Sequence, residues 1–360
     1  MNEILKGYLS TKIYSISDDD YIYAYFSWLK CVMRDLIKYS DQIDLITINS
    51  NKSLIELFEH NNEYTIIWDT AYWDYYANFL KLMIMALDKG SPFVDPNLHQ
   101  RAQEHELYQY LYNRTKSKSK NKKKSDFYYS KAESARVKID FQETYDERLY
   151  DNCLAVAKMF TLFHELEHIF TDINPDLTKE EGMKIEKLID HLVDTEIIDV
   201  NIDGFLRQIK GKEYFEEIIC DYLAFFEVLT MLAYELDNAA GVFSQYKKIS
   251  DAVRMLMLFN NQLNSINVLS NYYVKGVKIE EQSYCEDYSD SMNQYFVRSS
   301  ALVTFMPNII GSFAFEQGVE CDLHDIYKQV LFPSERDAVN VLGKIIDYNV
   351  AKLRNDLFGF

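Results

Sequence analysis

The amino-acid sequence predicts an α+β fold that is predominantly helical, with a small antiparallel sheet beside the helix that carries the candidate site and additional C-terminal helices. Only 11 glycines and 5 prolines occur in 360 residues, too few for a chain built from many tight turns. Long stretches repeat apolar residues at helical spacing, whereas only short stretches have the character of strands. An apolar content of 48% allows a large core.

Residues 1–112 form the first predicted region, which mixes helix and strand patterns. Residues 21–39 have the periodicity of an amphipathic helix, and residues 74–87 form an aromatic helical run. Residues 42–48 and 63–68 are short apolar runs typical of buried strands. We expect the many Tyr and Phe side chains here to pack in a core.

Residues 113–126 form a basic segment that we predict to be a mobile loop between two regions. Residues 113–125 contain Arg114 and six lysines but no acid, whereas the whole chain has a net charge of −18. This negative charge disfavours general nucleic-acid binding, because phosphates are repelled outside a local patch. No aromatic residue is interleaved with the lysines, so a solvated loop is favoured over contact with RNA, a membrane or an acidic partner.

Residues 127–240 are predicted to form the core that holds the candidate site. Residues 135–141 alternate Val137, Ile139 and Phe141 on one face, which predicts an antiparallel strand. If this strand lies at a sheet edge, an extended peptide could pair with it.

Residues 164–168 read His-Glu-Leu-Glu-His and lie in a helical run. At 3.6 residues per turn, His164 and His168 stand one above the other, so both imidazoles can reach a single ion. Glu165 sits one step round the helix, where it can touch a metal-held water as a general base. The opposite face is apolar and would anchor the helix in a core through Ala155, Met159, Leu162, Phe163, Leu166 and Phe170.

A catalytic zinc ion takes three protein ligands, and the helical run 213–236 supplies a candidate for the third. Glu217, Cys220 and Asp221 share one face of this run. Glu217 could bind the metal, and Asp221 could hold the far nitrogen of a ligand histidine. Glu216 competes with Glu217 for the ligand role, and Cys220 is a further candidate ligand.

HExxH followed by a helix carrying Glu-x-x-x-Asp resembles the gluzincin class of zinc metallopeptidases, over about a third of the chain from residue 130 to residue 240. The resemblance implies a zincin-like active-site helix, a Zn²⁺ cofactor and hydrolysis of peptide bonds by a metal-activated water. It implies these roles: zinc ligands His164, His168 and Glu217, general base Glu165, and orienting carboxylate Asp221.

Two features depart from the family pattern. Glu167 is charged, whereas the family usually has uncharged residues between the histidines. Its side chain is either solvated or lines the cleft and favours basic substrate side chains. No residue that would stabilise the oxyanion can be assigned by spacing, although Tyr150, His191 and Tyr222 are nearby in sequence.

Residues 241–360 are predicted to form a C-terminal helical region packed on the core, with helices at 245–259, 291–310 and 334–357. The five cysteines are widely spaced and form no CxxC pair, which favours a reducing, cytoplasmic location. The first 14 residues do not read as a signal peptide, and no apolar run is long enough for a membrane span.

The expected function is therefore that of a zinc-dependent metallopeptidase acting on an intracellular protein or peptide substrate. Two alternatives stay open: a zinc amidohydrolase with a substrate other than a peptide, and a catalytically inactive helical interaction protein in which the motif is accidental. The sequence does not determine the oligomeric state.

Overall fold

The structure, a computed structural model, divides into two compact units, Met1–Tyr150 and Asp151–Phe360. Their boundary differs from those of the regions predicted from the sequence. The residues that the structure describes are 5, 8–9, 14–16, 19–33, 42–50, 55–87, 95–116, 122–136, 146–194, 215–275, 281–331 and 350–357. Most of them are helical, which confirms the predicted α+β, predominantly helical fold class.

The first unit contains a four-stranded sheet with the strand order β1-β2-β4-β3. The strands are β1 Tyr14–Ile16, β2 Ile43–Ser50, β3 Ile55–His60 and β4 Glu63–Asp69. The predicted strands 42–48 and 63–68 are confirmed as β2 and β4, whereas β1 and β3 were not predicted.

The sheet is mixed, so the prediction of an antiparallel sheet is wrong. β2 and β4 pair in parallel, and β3 pairs antiparallel with β4. The turn between β3 and β4 explains this order: Asn61 and Asn62 have φ angles of 53° and 61°, which suit a tight hairpin. Because the hairpin puts β3 on the outer edge of β4, the other edge of β4 pairs with β2, which runs in the same direction.

Four helices of the first unit are α1 Asp20–Met33, α2 Thr70–Leu87, α3 Pro96–Thr115 and α4 Lys122–Ala135. The predicted aromatic helix 74–87 is confirmed as part of α2. The predicted helix 21–39 is confirmed as far as residue 33, and residues 34–39 lie outside the described residues. α3 was not predicted, although Asp95 caps it by accepting a hydrogen bond from the Asn97 amide and Pro96 stands at its first turn.

The basic segment 113–126 is helical at both of its described ends. α3 includes residues 113–115 and α4 begins at residue 122, so the loop prediction is wrong for these positions. Residues 117–121 lie outside the described residues. α3 and α4 pack against each other, and this tertiary contact stabilises helix where composition alone predicts solvated chain.

The first four residues of α5, Glu147–Ile173, belong to the first unit and the rest to the second. Further helices of the second unit are α6 Pro175–Asp194, α7 Phe215–Leu236, α8 Ala239–Phe243, α9 Tyr246–Lys275, α10 Glu281–Glu316 and α11 Leu323–Leu331. α7 packs against α6 and α10, and α10 also packs against α9 and α11. The predicted helices 213–236, 245–259 and 291–310 are confirmed over their described residues. Of the predicted helix 334–357, residues 350–357 are helical and the rest lies outside the described residues.

The predicted strand 135–141 is not found where the structure describes the chain. Ala135 is the last residue of α4, so the strand prediction is wrong there. Val137, Ile139 and Phe141 lie outside the described residues, and the idea that a peptide pairs with this edge stays a prediction. None of the described helices combines the length and the apolar content that a membrane crossing requires.

His99 is a fully buried titratable residue in the first unit. Its Nε2 atom lies 2.9 Å from Nε2 of Gln103, one turn later on α3. Burial lowers the pKa of His99 from 6.5 to about 4. Between these two pH values the unfolded chain binds a proton that the folded chain excludes, so the folded state loses stability as the pH falls.

We expect the free energy of unfolding to fall by about 3 kcal/mol between pH 6.5 and pH 4 through His99 alone. His99→Gln removes the titrating group, so its stability should depend less steeply on pH over this interval. Urea denaturation followed by circular dichroism measures both slopes, with His324→Gln, which changes an exposed histidine, as the control. Equal slopes for His99→Gln and the native chain would contradict the assignment.

Candidate metal centre

The two histidines of the HExxH motif lie one turn apart on α5 and direct their rings to the same point. The Nε2 atoms of His164 and His168 are 3.2 Å apart. Their ring planes are nearly perpendicular, at 89°, with centroids 4.8 Å apart. The opposite face of α5 is buried and apolar: Met159, Leu162, Phe163 and Leu166 are all buried. Of the predicted apolar stripe, Ala155 and Phe170 are only half-buried.

Glu217 of α7 brings a carboxylate to both imidazoles. Its Oε2 atom lies 3.3 Å from His164 Nε2, and its Oε1 atom lies 3.5 Å from His168 Nε2. With zinc bonds of 2.0 to 2.1 Å and tetrahedral angles, ligand atoms stand about 3.3 to 3.4 Å apart. One donor atom from each of His164, His168 and Glu217 lies within 4.8 Å of the other two, so this group could hold a metal ion.

Asp221 lies one turn after Glu217 on α7 and contacts the far side of the first histidine. Its side chain is 1% exposed, and its Oδ1 atom is 2.9 Å from Nδ1 of His164. This contact is an ion pair without the alignment of a hydrogen bond. A carboxylate at this position favours the proton on Nδ1 and leaves the lone pair of Nε2 available to a metal.

Arg298 of α10 completes the cluster, and the sequence analysis missed it. Its Nε and Nη2 atoms donate hydrogen bonds of 2.9 Å to the two carboxylate oxygens of Asp221. Its Nη1 atom lies 2.7 Å from Oε2 of Glu217, and its Nη2 atom lies 3.3 Å from Nε2 of His164. One signal could have found it: Arg298 is the only charged residue between positions 291 and 315, in an otherwise uncharged helical run.

The charges of the cluster follow from burial and mutual contact. Burial alone lowers the pKa of His164, but Asp221 and Glu217 outweigh it and raise the pKa to about 9. Burial and the neighbouring His164 lower the pKa of His168 to about 4. Burial opposes ionisation of Glu217, yet hydrogen bonding to His164 and the charge of Arg298 bring its pKa down to about 2. Near neutral pH the cluster thus holds an ionised Glu217, a protonated His164 and a neutral His168, and a metal at Nε2 of His164 would take the place of a proton.

Asp221 is ionised for a similar reason. Burial favours its neutral form, but the charge of Arg298 and the contact with His164 hold the pKa of Asp221 well below its usual range. A buried carboxylate between two cations is stable only while both remain in place.

The two competing ligand candidates, Glu216 and Cys220, lie near Nδ1 of His168 and not near its Nε2 atom. Glu216 has an Oε1 atom 3.8 Å from Nδ1 of His168, on the far side of the ring, and its side chain is 56% exposed. Cys220 has its Sγ atom 3.5 Å from the same Nδ1. Burial and the charge of Asp221 raise the pKa of the Cys220 thiol far above its ordinary value, which disfavours the thiolate. Both residues are better placed to orient His168 than to bind a metal.

The two glutamates inside the motif are both buried. Glu165 follows His164 on α5, which places it about 100° round the helix axis. Glu167 is 7% exposed, so the interpretation that it is solvated is wrong. Burial and the nearby Glu227 raise the pKa of Glu167 to about 8. The sequence could not show this, because the residues that cover Glu167 come from other helices.

The residues that we considered for oxyanion stabilisation have other surroundings. His191 is exposed near the end of α6. The ring of Tyr222 packs edge-on against Phe305, with centroids 6.2 Å apart. Tyr150 belongs to the first unit, where Lys81 lies over its ring.

Comparisons with protein-family models, with curated proteins and with solved structures find no match for this chain. The resemblance to gluzincins therefore stays a prediction from the motif residues.

Arg298→Ala should lower the free energy of unfolding by about 3 kcal/mol, because it leaves the buried Asp221 carboxylate with only His164 as its counter-ion. Arg298→Lys keeps the charge but cannot donate the paired hydrogen bonds, so its cost should be smaller. Urea denaturation of the purified variants measures both values.

A double-mutant cycle distinguishes this ion pair from a general packing effect. Arg298→Ala combined with Asp221→Ala should cost clearly less than the sum of the two single changes, because the double variant has no unpaired carboxylate. Additive costs would mean that the guanidinium does not stabilise Asp221.

Proposed function

We propose that the protein is a zinc-dependent peptidase with His164, His168 and Glu217 as its metal ligands. The observation that carries the proposal is the convergence of the three side chains: the two histidine Nε2 atoms are 3.2 Å apart, and oxygens of the Glu217 carboxylate lie 3.3 Å from one and 3.5 Å from the other. These distances are close to the spacing of about 3.3 to 3.4 Å between ligand atoms around a tetrahedral zinc ion. Two imidazoles and one carboxylate form a donor set that suits zinc. Three protein ligands leave one coordination position for water, which is the pattern of catalytic rather than structural zinc.

A bound zinc ion would supply a nucleophilic water with a pKa near 7 and would polarise an amide carbonyl. The residues of the chain carry the remaining steps. We assign to Glu165 the role of general base, which accepts the proton of the water and then passes it to the leaving amine. Asp221 orients His164, and Arg298 holds both Asp221 and Glu217 in place.

The proposed substrate is a peptide or protein in the cytoplasm. The support for a peptide bond is the resemblance of the motif residues to gluzincins, and the support for the location is the wide spacing of the five cysteines, which form no CxxC pair in the sequence. Other zinc amidohydrolases share the same metal chemistry, so the experiments below test zinc binding and the class of substrate separately.

The purified native chain should contain about one zinc ion per molecule by elemental analysis. His164→Ala and Glu217→Ala should each lose most of this zinc, because each removes a ligand. Glu216→Gln is the matched control: it changes the preceding carboxylate on the same helix and should retain zinc, because the Glu216 carboxylate approaches His168 at Nδ1 and not at Nε2.

Two outcomes would contradict the ligand assignment. Retention of zinc in Glu217→Ala together with its loss in Glu216→Gln would transfer the ligand role to Glu216. An absence of stoichiometric zinc after equilibration of the native chain with the metal would leave the motif accidental and would support the inactive interaction protein.

Glu165→Gln should keep the zinc but reduce turnover by about 100-fold or more, because the amide cannot accept the proton of the water. The substrate is sought by comparing protein termini in cells that carry the native chain with termini in cells that carry Glu165→Gln. New termini should appear only with the native chain. Glu167→Gln, which replaces a buried and mostly protonated glutamate two residues away, should still produce them.

Unchanged turnover in Glu165→Gln would exclude Glu165 as the base. If the native chain binds zinc but produces no specific protein termini, the peptidase assignment fails, and hydrolysis in a screen of small amides would indicate the amidohydrolase.

A further inference from the structure

The helices α3 and α4 of the first unit form an antiparallel hairpin. His105 of α3 has its Nδ1 atom 2.8 Å from the carbonyl oxygen of Ala132 of α4. Further along α3, the ring of Tyr112 packs against Tyr129, with centroids 5.3 Å apart. Later residues of α3 therefore contact earlier residues of α4, which means that the two helices run antiparallel. The last turn of α3 and the first turn of α4 lie at the same end of the hairpin.

This end of the hairpin is strongly basic. We define the hairpin tip as five of the described residues: Arg114, Lys116, Lys122, Lys123 and Lys124. The first three lysines of this set are exposed, and Arg114 and Lys124 are half-buried. Asp126 is the only acid between positions 113 and 132, in a chain with a net charge of −18. The tip therefore concentrates positive charge in an acidic protein.

The three lysines of α4 are unfavourable for the helix itself. They occupy its first turn, where the positive end of the helix dipole repels cations. Each such residue makes the helix less stable than a neutral residue would. Helix stability thus does not explain why these lysines are there, whereas an anionic partner would.

An exposed aromatic ring stands beside these cations. Tyr129 is 49% exposed, and it lies seven residues after Lys122 on the same face of α4, about 10.5 Å along the axis. Tyr112 supports the ring of Tyr129, and the Nζ atom of Lys116 lies 5.6 Å from the centre of Tyr112. Tyr129 shares α4 with Lys122, Lys123 and Lys124, and the hairpin adds Tyr112 and Lys116 from the end of α3.

We propose that the hairpin tip and Tyr129 bind single-stranded nucleic acid, with the lysines on phosphates and a base stacked on the ring. Cations beside an exposed aromatic face suit an unpaired nucleotide, whose phosphate and base are within reach at once. An anionic membrane surface would bind the lysines but would not require the ring of Tyr129 to be held in place by Tyr112. The surface does not include the metal centre and does not depend on the proposed peptidase activity.

The first experiment measures binding of fluorescein-labelled 20-nucleotide oligo(dT) and oligo(rU) to the full chain by fluorescence anisotropy over a range of salt concentrations. Affinity should fall as salt rises, because bound phosphates release their counter-ions. The triple change Lys122→Gln, Lys123→Gln and Lys124→Gln should weaken binding and reduce the slope of log affinity against log salt by about 2.

The matched control has the same change in net charge elsewhere. Lys179→Gln, Lys184→Gln and Lys187→Gln alter three exposed lysines of α6 and should leave the salt slope unchanged. Equal losses in the two triple variants would mean that net charge alone governs binding, and the proposal would be wrong. Removal of lysines from the first turn of α4 should not destabilise the fold, so thermal unfolding of the variant checks that it is intact.

Tyr129→Ala tests the stacking step. It should weaken binding about 10-fold without a change in the salt slope, because it removes a ring and no charge. Tyr234→Ala, which removes a ring that is 65% exposed in the second unit, should have no effect. An unchanged affinity in Tyr129→Ala would overturn the proposal.

Vesicles that contain phosphatidylserine provide the last comparison. If the native chain binds these vesicles but not the oligonucleotides, the tip is a membrane contact and the nucleic-acid proposal fails. An absence of oligonucleotide binding at low salt overturns it as well.

Discussion

The buried carboxylate of Asp221 is the constraint on which the candidate metal centre depends. An ionised group with 1% of its side chain exposed is stable only where cations replace the lost water. Arg298 supplies two hydrogen bonds and His164 supplies a close contact. These three side chains come from α7, α10 and α5, so one requirement for charge compensation ties three helices together. The imidazole of His164 has its orientation because Asp221 is there.

The position of Glu217 follows from the same contact. It lies one turn before Asp221 on α7, so a helix face that presents Asp221 to His164 also presents Glu217 to the Nε2 atoms of both histidines. Arg298 also restricts the position of the Glu217 carboxylate, because the Nη1 atom of Arg298 lies 2.7 Å from Oε2 of Glu217. The donor atoms stand on helices rather than loops, and they are held at metal-binding distances by contacts with residues that bind no metal. Such support keeps a site close to its working geometry.

Much of the fold and of the site could be predicted where the signal is local. The apolar runs of β2 and β4 and the periodicity of α2, α7 and α9 were sufficient to locate these elements. β3 was missed because its residues are mostly half-buried and show no alternation. α3 was missed because it is polar along most of its length and depends on packing against its neighbours. The burial of Glu167 was missed because it depends on tertiary packing, which the spacing of residues within one helix does not show.

The sequence by itself determined the relations that lie within one helix. His164 and His168 share a face, as do Glu217 and Asp221, because four residues make about one turn wherever the helix is placed. Only the tertiary structure decided which groups meet across helices. Arg298 stands 77 residues after Asp221, and Tyr112 of α3 meets Tyr129 of α4 through the pairing of these two helices. No spacing encodes such contacts, because they depend on how whole helix faces pack and not on the local geometry of the chain.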